Sequence, residues 1–184
     1  MSKHTAVFID RDGTLIRDVG YLRESGQIEV LPRVPEGLSL LREHGLKAVL
    51  VTNQSAVGRG FLTEADLGLI HEELQRQVGR LDGVYYCPHH PTAALGSYRI
   101  ECDCRKPAGG MVARACHNLD LDPGTSYVVG DKMSDVRMAA RVGAKGILLR
   151  DSKAEEQPAA DEVAAVETDF YAAARWIITD LSYD

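Results

Sequence analysis

What this chain lacks narrows its function before any motif is read. No early stretch joins a basic head, a long apolar run and a small-residue cleavage site, and no apolar run nears the roughly 18 residues that span a bilayer. A cytoplasmic protein with no membrane partner is the expectation. Positive charge is not in excess: 21 Lys and Arg stand against 27 Asp and Glu, a formal net charge of −6. That balance disfavours nonspecific nucleic-acid binding, and an anionic ligand must be met by basic residues gathered locally. Internal repeats and low-complexity segments that would demand a second domain are missing too. Cysteine is sparse, with four in all, and without a secretion signal a disulfide framework is not expected.

What is present fits one domain over residues 1–184. At 184 residues with 45% apolar content, the chain can bury a sizeable core. Ala6–Ile9, Lys47–Val51, Ser126–Val129 and Lys145–Leu149 are apolar runs of buried-strand length. Amphipathic segments between them, Pro35–His44, Glu64–Arg80, Gly109–Asn118 and Ser134–Val142, read as helices. Pro35 and Gly45 punctuate the first, and Thr63-Glu64-Ala65-Asp66 resembles a capping box for the second. An Ala/Glu-rich linker is expected at Ser152–Ala160, an edge strand near Glu162–Ala165, and a final helix over Asp169–Asp180 with the only Trp, Trp176, at a core-like position. Strand and helix alternate, which predicts an α/β fold: a Rossmann-like three-layer arrangement around a mostly parallel central sheet.

Asp10 and Asp12 follow the run Ala6-Val7-Phe8-Ile9 and precede Gly13. Residues two apart in an extended chain share a face, so both acids emerge together where the strand ends. Paired carboxylates are costly unless a cation joins them or a reaction uses them. In such a sheet ligands bind beyond the carboxyl ends of the strands, and further signals fall there: Thr52-Asn53, Arg105-Lys106-Pro107, and Gly130-Asp131 through Asp135. Four acids, a hydroxyl and a fixed cation suit phosphoryl transfer. Asp10 would attack phosphorus to form an aspartyl phosphate, and Asp12 would protonate the leaving alkoxide and then activate water. Asp10 and Asp131 would ligate magnesium, Thr52 and Lys106 would hold phosphoryl oxygens, and Asp135 would orient Lys106 or the metal's waters.

Three of the four cysteines cluster in Cys87-Pro88-His89-His90-Pro91 and Cys102-Asp103-Cys104-Arg105-Lys106-Pro107. Three thiolates and one imidazole, from His89 or His90, make a closed set typical of structural zinc. Zinc would staple a loop too small for a core of its own and deliver Arg105 and Lys106 to the acids. Cys116 and His117 fall on a predicted helix and read as packing or surface residues.

The ordered pattern Asp-x-Asp-Gly-Thr, Thr-Asn, Lys and Gly-Asp-x-x-x-Asp resembles the haloacid dehalogenase superfamily of phosphohydrolases. The resemblance implies that Asp10 is the nucleophile, Asp12 the acid/base, and that the Asp10 carboxylate, the Asp12 carbonyl and Asp131 hold magnesium. The interval from Thr14 to Thr52 is too short for an inserted cap domain, so specificity must come from loops. With the zinc loop included, the chain is similar to the D-glycero-D-manno-heptose 1,7-bisphosphate 7-phosphatases, and more distantly to zinc-containing histidinol-phosphate phosphatases. The heptose group is favoured by Asp18-Val19-Gly20-Tyr21, by Thr52-Asn53-Gln54-Ser55 with Arg59-Gly60, and by Tyr85-Tyr86-Cys87-Pro88-His89-His90-Pro91.

That likeness implies His89 as the zinc ligand, and contacts from Arg11, Asp18, Gly20, Tyr21, Asn53, Gln54 and Ser55 to the sugar or phosphate. It also implies that Arg59, Arg105, Lys106 and Lys132 engage the phosphates, a bisphosphate needing cations for its distal group. One departure is Ala108-Gly109 after Pro107, where that group often carries His-Pro. The implied activity is removal of the 7-phosphate from a sugar bisphosphate by a monomeric enzyme supplying heptose for lipopolysaccharide. A histidinol-phosphate phosphatase and a noncatalytic zinc-stapled binding module are the alternatives.

Overall fold

In the computed structural model, which describes residues 3–150, 159 and 162–182, six strands form one sheet. They are β1 (Ala6–Ile9), β2 (Lys47–Asn53), β3 (Gly83–Cys87), β4 (Tyr127–Gly130), β5 (Lys145–Leu149) and β6 (Ala165–Glu167), in the order β3-β2-β1-β4-β5-β6. Every pairing is parallel, so the sheet is wholly rather than mostly parallel. Parallel strands need crossovers, and the helices supply them. These are α1 (Val34–Glu43), α2 (Ser55–Gly58), α3 (Glu64–Val78), α4 (Gly110–Leu119), α5 (Met133–Val142) and α6 (Phe170–Leu181).

Side chains alternate across each strand, which divides the core in two. Val7, Ile9, Leu50, Val129 and Ile147 face α1, α3 and α6, where Leu38, Leu41, Leu74, Phe170 and Ile177 are buried. Phe8, Val49, Val51 and Val128 face α4 and α5 and pack with Met111, Ala115 and Met138. With helices on both faces, the inner strands have no solvent side, hence their unbroken apolar runs. Trp176 packs half-buried against the first cluster, its ring edge-on to Tyr127.

The expected helices all form, with ends shifted by a residue or two. Pro lies in the first turn of α1, Gly45 follows its end at φ 76°, and Thr63 and Asp66 cap α3 reciprocally. β3 is a strand that the apolar runs do not reveal. It lies at the sheet edge and is only half-buried along Gly83–Tyr86, so it carries no continuous hydrophobic signal. The edge strand near the C-terminus is β6, at Ala165–Glu167 rather than Glu162–Ala165. Apart from Ala159, the linker expected at Ser152–Ala160 lies outside the described residues.

Between β1 and β2 the described residues hold only a 3₁₀ turn at Ser25–Gln27 and α1, with a single antiparallel bridge between Ile16 and Val30 closing the intervening loop. No cap domain is inserted there. Strand order reverses between β1 and β4, and the crevice beyond their carboxyl ends is where such sheets bind ligands.

Candidate active site

Asp10 leaves the end of β1, Asp131 follows β4, and Asp135 lies in the first turn of α5. One carboxylate oxygen from each lies within 4.8 Å of the others. Into this group comes Lys106, whose Nζ is 2.8 Å from Asp10 Oδ1 and 2.6 Å from Asp135 Oδ1, and which also donates to the Val51 carbonyl at 3.1 Å. Lys106 is 5% exposed and Asp135 1%. Burial opposes charge on the Lys106 ammonium, but Asp10 and Asp135 outweigh it and raise its pKa. Burial pushes Asp135 up to about 6 against the pull of Lys106. Asp131 is pushed up to about 7, first by burial and then by Asp10, Asp135 and Asp18, with Lys132 opposing.

Lys106 thus pairs with Asp10 and Asp135, while Asp131 has only the half-exposed Lys132 at 3.8 Å, and the buried negative charge is under-compensated. Asp131 Oδ1 is buried without a hydrogen-bond partner. An oxygen-only donor set around such an orphan fits a hard divalent cation such as magnesium. The backbone makes room for it: Gly13 sits at φ 78°, and a Cβ there would come 2.3 Å from Asp131 Oδ2. A cavity of ≈ 500 Å³ beside Asp131 is lined also by Thr14, Arg150, Asp169 and Phe170.

Asp12 is held from behind. Arg11 Nη2 lies 3.0 Å from Asp12 Oδ2 and its Nε donates to Oδ1 at 3.2 Å, while Gln54 Nε2 donates to Asp12 Oδ2 and to Thr52 Oγ1, both at 2.9 Å. His71 Nε2 lies 3.4 Å from Arg11 Nη1. Burial, then Arg11, lowers His71 to about 3, so His71 stays neutral behind the guanidinium. These contacts make the Arg11 side chain a buried brace on Asp12. Gln54 is likewise engaged with Asp12 and Thr52, and Asn53 with the backbone of Lys106, through Lys106 N to Asn53 Oδ1 at 3.0 Å and Asn53 Nδ2 to Lys106 O at 3.3 Å. Ser55 opens α2 half-buried.

The zinc-loop residues converge. Cys87, Cys102 and Cys104 sulfurs are 3.1 to 3.6 Å apart, and His89 Nδ1 is 3.3 Å from Cys104 Sγ. A tetrahedral zinc with bonds of about 2.3 Å sets its sulfurs about 3.7 Å apart, close to this spacing. Burial pushes the Cys87 thiol up, so gathering thiolates here requires a cation. His90 turns away and its Nδ1 accepts from Thr92 N. Arg105 Nη1 donates to the His89 carbonyl at 3.0 Å, which ties the loop to itself. At the Ala108-Gly109 departure, a Cβ on residue 109 would meet Val142 Cγ1 at 2.6 Å, so the glycine matches its neighbour.

Around the mouth, Lys132 pairs with Asp18 at 3.0 Å, Gly20 N donates to Asp18 Oδ1, and Arg59 lies 5.6 Å from the Tyr21 ring centroid with its Nε buried and unpartnered. Burial works against Lys132, yet Asp131 and Asp18 raise its pKa. Cys116 and His117 lie on α4 in packing and surface positions, away from the cysteine cluster. Sequence reasoning missed His71. The signal available was a lone histidine at a core position of α3, which cannot reveal a partner as distant in sequence as Arg11.

An α/β sheet with carboxylates at the ends of β1 and β4, a lysine between them and no cap defines the chain as a haloacid dehalogenase-like hydrolase of phosphoric monoesters. A family model described as HAD-hyrolase-like matches residues 103–175. The D-glycero-beta-D-manno-heptose-1,7-bisphosphate 7-phosphatase of Escherichia coli (strain K12) is 41% identical over 167 residues, covering 86% of this chain and 87% of the relative. That of Haemophilus ducreyi is 41% identical over 155 residues, covering 81% and 85%. The chain belongs to this 7-phosphatase family. Among solved structures, D,D-heptose 1.7-bisphosphate phosphatase from B. bronchiseptica, complexed with magnesium and phosphate, is similar with a TM-score of 0.81 and 27% identity, covering 96% of this chain and 99% of that one. A putative HAD-like phosphatase from Mesorhizobium loti is similar with a TM-score of 0.84 at 27% identity, covering 98% and 88%. Among the described residues no helix is long and apolar enough to cross a membrane.

Proposed function

We propose that this protein removes the 7-phosphate of D-glycero-beta-D-manno-heptose 1,7-bisphosphate and leaves the 1-phosphate in place. The observation that carries the chemistry is Lys106 buried between Asp10 and Asp135, with Asp12 braced beside them. The substrate and its beta anomer are taken from the names of relatives that match most of the chain.

In this reading Asp10 attacks phosphorus in line and becomes an aspartyl phosphate, while Asp12 gives its proton to the departing sugar alkoxide. Asp12 then takes a proton from the water that hydrolyses the intermediate. Arg11 and Gln54 keep Asp12 aimed for both steps. Lys106 and Thr52 meet the equatorial phosphoryl oxygens, where charge is spread in the transition state. Asp135 holds Lys106 and thereby its donor direction. The Asp10 carboxylate, the Asp12 carbonyl and Asp131 would hold magnesium, which would supply charge neutralisation for an anionic nucleophile meeting an anionic phosphate. Zinc on Cys87, His89, Cys102 and Cys104 fixes the loop that carries Arg105 and Lys106. Lys132, Arg59 and Arg105 provide local positive charge for a bisphosphate on a chain of net charge −6. Asp18, Gly20, Tyr21 and Ser55 line the route for the sugar. A cytoplasmic, monomeric enzyme of one domain is part of this reading.

The test is phosphate release with magnesium from both anomers of heptose 1,7-bisphosphate and from histidinol phosphate, compared as kcat/KM. A preference for the beta heptose supports the reading. A preference for histidinol phosphate, or turnover of none of them, overturns it.

A further inference from the structure

The loop between Ile16 and Val30 carries two glycines' worth of unusual geometry shared with a distant turn. Gly20 at φ 79° precedes Tyr21, and Gly60 at φ 75° precedes Phe61. Each lets the chain turn sharply and thrust its aromatic neighbour outward. The two rings meet edge-on with centroids 5.0 Å apart and planes at 67°, a favourable arrangement of ring quadrupoles. Arg23 lies over Phe61 with its guanidinium carbon 4.3 Å from the centroid, within cation–π range. Leu22, between Tyr21 and Arg23, is 2% exposed and joins the main core. Leu22 is thus buried while Tyr21 and Arg23, on either side of it in the chain, both contact Phe61. Phe61 is met by the Arg23 guanidinium over its ring and by the Tyr21 ring in a T-shaped arrangement.

Nothing in the proposed chemistry uses Phe61, yet it is 40% exposed and Tyr21 39%. A large apolar ring kept at the surface beside a site without a cap calls for an explanation. Tyr21 also lies under Arg59, whose guanidinium carbon is 5.6 Å from the Tyr21 ring centroid and whose Nε is buried without a partner. Arg59, Tyr21, Phe61 and Arg23 thus form a row of cation, ring, ring and cation. The turn bonds within the loop, Gly20 N to Asp18 Oδ1 and Arg23 N to Gln27 Oε1, shape it but do not fix it to the rest of the protein. Its ties to the rest of the protein are Leu22 buried in the main core, the Asp18–Lys132 pair, the Arg59 contact with Tyr21, and the Phe61 contacts of Tyr21 and Arg23.

We propose that Phe61 is a positioning residue for substrate: it clasps the 18–23 loop across the mouth of the site, and through Tyr21 sets Arg59 for the part of a bisphosphate remote from the scissile phosphate. It touches no reacting atom. The clasp does for this uncapped fold what a cap would otherwise do, ordering the surroundings of the remote group and leaving the phosphoryl-transfer centre alone. The proposal rests on the bisphosphate reading above.

The experiment compares wild type with Phe61→Ala, Phe61→Leu and Phe61→Tyr, using heptose 1,7-bisphosphate and p-nitrophenyl phosphate, which has no remote phosphate. Losing both ring contacts should raise KM for the bisphosphate about tenfold in Phe61→Ala with kcat nearly kept. Kinetics on p-nitrophenyl phosphate should stay unchanged. Phe61→Tyr should restore KM and Phe61→Leu should not, because the ring rather than its apolar volume makes the clasp. Amide hydrogen exchange at 18–23, read without substrate, should quicken in Phe61→Ala and not in Phe61→Tyr. Equal losses on both substrates, rescue by leucine, or unaltered exchange in the loop would overturn the positioning role. A wild type that does not favour the bisphosphate over p-nitrophenyl phosphate defeats the substrate reading instead, and the exchange data then still decide whether the clasp exists.

Discussion

Asn53 holds the backbone of Lys106 by both of its polar groups, accepting from Lys106 N at 3.0 Å and donating to Lys106 O at 3.3 Å. One side chain at the end of β2 thereby docks the cysteine-bearing loop onto the sheet and sets where the Lys106 ammonium emerges. Asn53→Ala should lower kcat by about 10- to 100-fold, as losses of supporting hydrogen bonds around a site do. The fall should be the same on heptose 1,7-bisphosphate and p-nitrophenyl phosphate, since Lys106 serves both. A loss confined to the heptose substrate would mean that Asn53 instead contacts the sugar.

Lys106 is the buried countercharge of two carboxylates. In Lys106→Met, Asp10 and Asp135 are left facing each other without it, and removing one partner of a buried ion pair costs about 3–5 kcal/mol. Urea unfolding should register that loss, and kcat should fall by at least about 10²-fold. Lys106→Met with Asp135→Asn should regain stability and not activity. Recovery of both together would remove Lys106 from the chemistry.

The sulfur and imidazole cluster sits two residues before Lys106 along the chain, at Cys104. Cys102→Ser should release bound zinc, lower Tm, and reduce kcat by loosening the loop, with the zinc content followed by elemental analysis alongside thermal unfolding. Full activity and unchanged Tm in a zinc-free protein would contradict the staple.

His71 gives the stability a pH dependence. Burial and Arg11 hold its folded pKa at about 3, below the ordinary 6.5. The unfolded chain takes up the proton first, so His71 costs nothing above pH 6.5, and stability declines as pH falls from there toward 3 by about 1.4 kcal/mol per unit. Between pH 7.5 and 5, wild type should lose about 2 kcal/mol more than His71→Gln in urea unfolding. Parallel pH profiles for the two proteins would show that another group is responsible.

The inner strands were legible because burial on both faces writes itself as an apolar run: Ala6–Ile9 and Lys145–Leu149 match β1 and β5 residue for residue. β3 was not, because its tyrosines turn polar ends outward, Tyr86 to Glu64 and Tyr85 to Asn118, and Gly83 opens it. The carboxylates, Lys106 and the cysteine cluster could be read since their residue types have few other reasons to gather at strand ends. The contacts that Arg11, Asn53 and Gln54 make within the protein were not legible from residue type alone. A guanidinium or amide suited to a phosphate or a sugar hydroxyl suits Asp12 or a backbone group equally well, and only the fold decides which one lies within reach.

The most direct measurement follows heptose 1,7-bisphosphate, beta anomer, by phosphorus NMR with magnesium, for wild type and Asp10→Asn. The account predicts that wild type loses the 7-phosphate signal, keeps the 1-phosphate signal and accumulates inorganic phosphate, and that Asp10→Asn leaves both signals intact. Loss of the 1-phosphate, or equal turnover by Asp10→Asn, contradicts it.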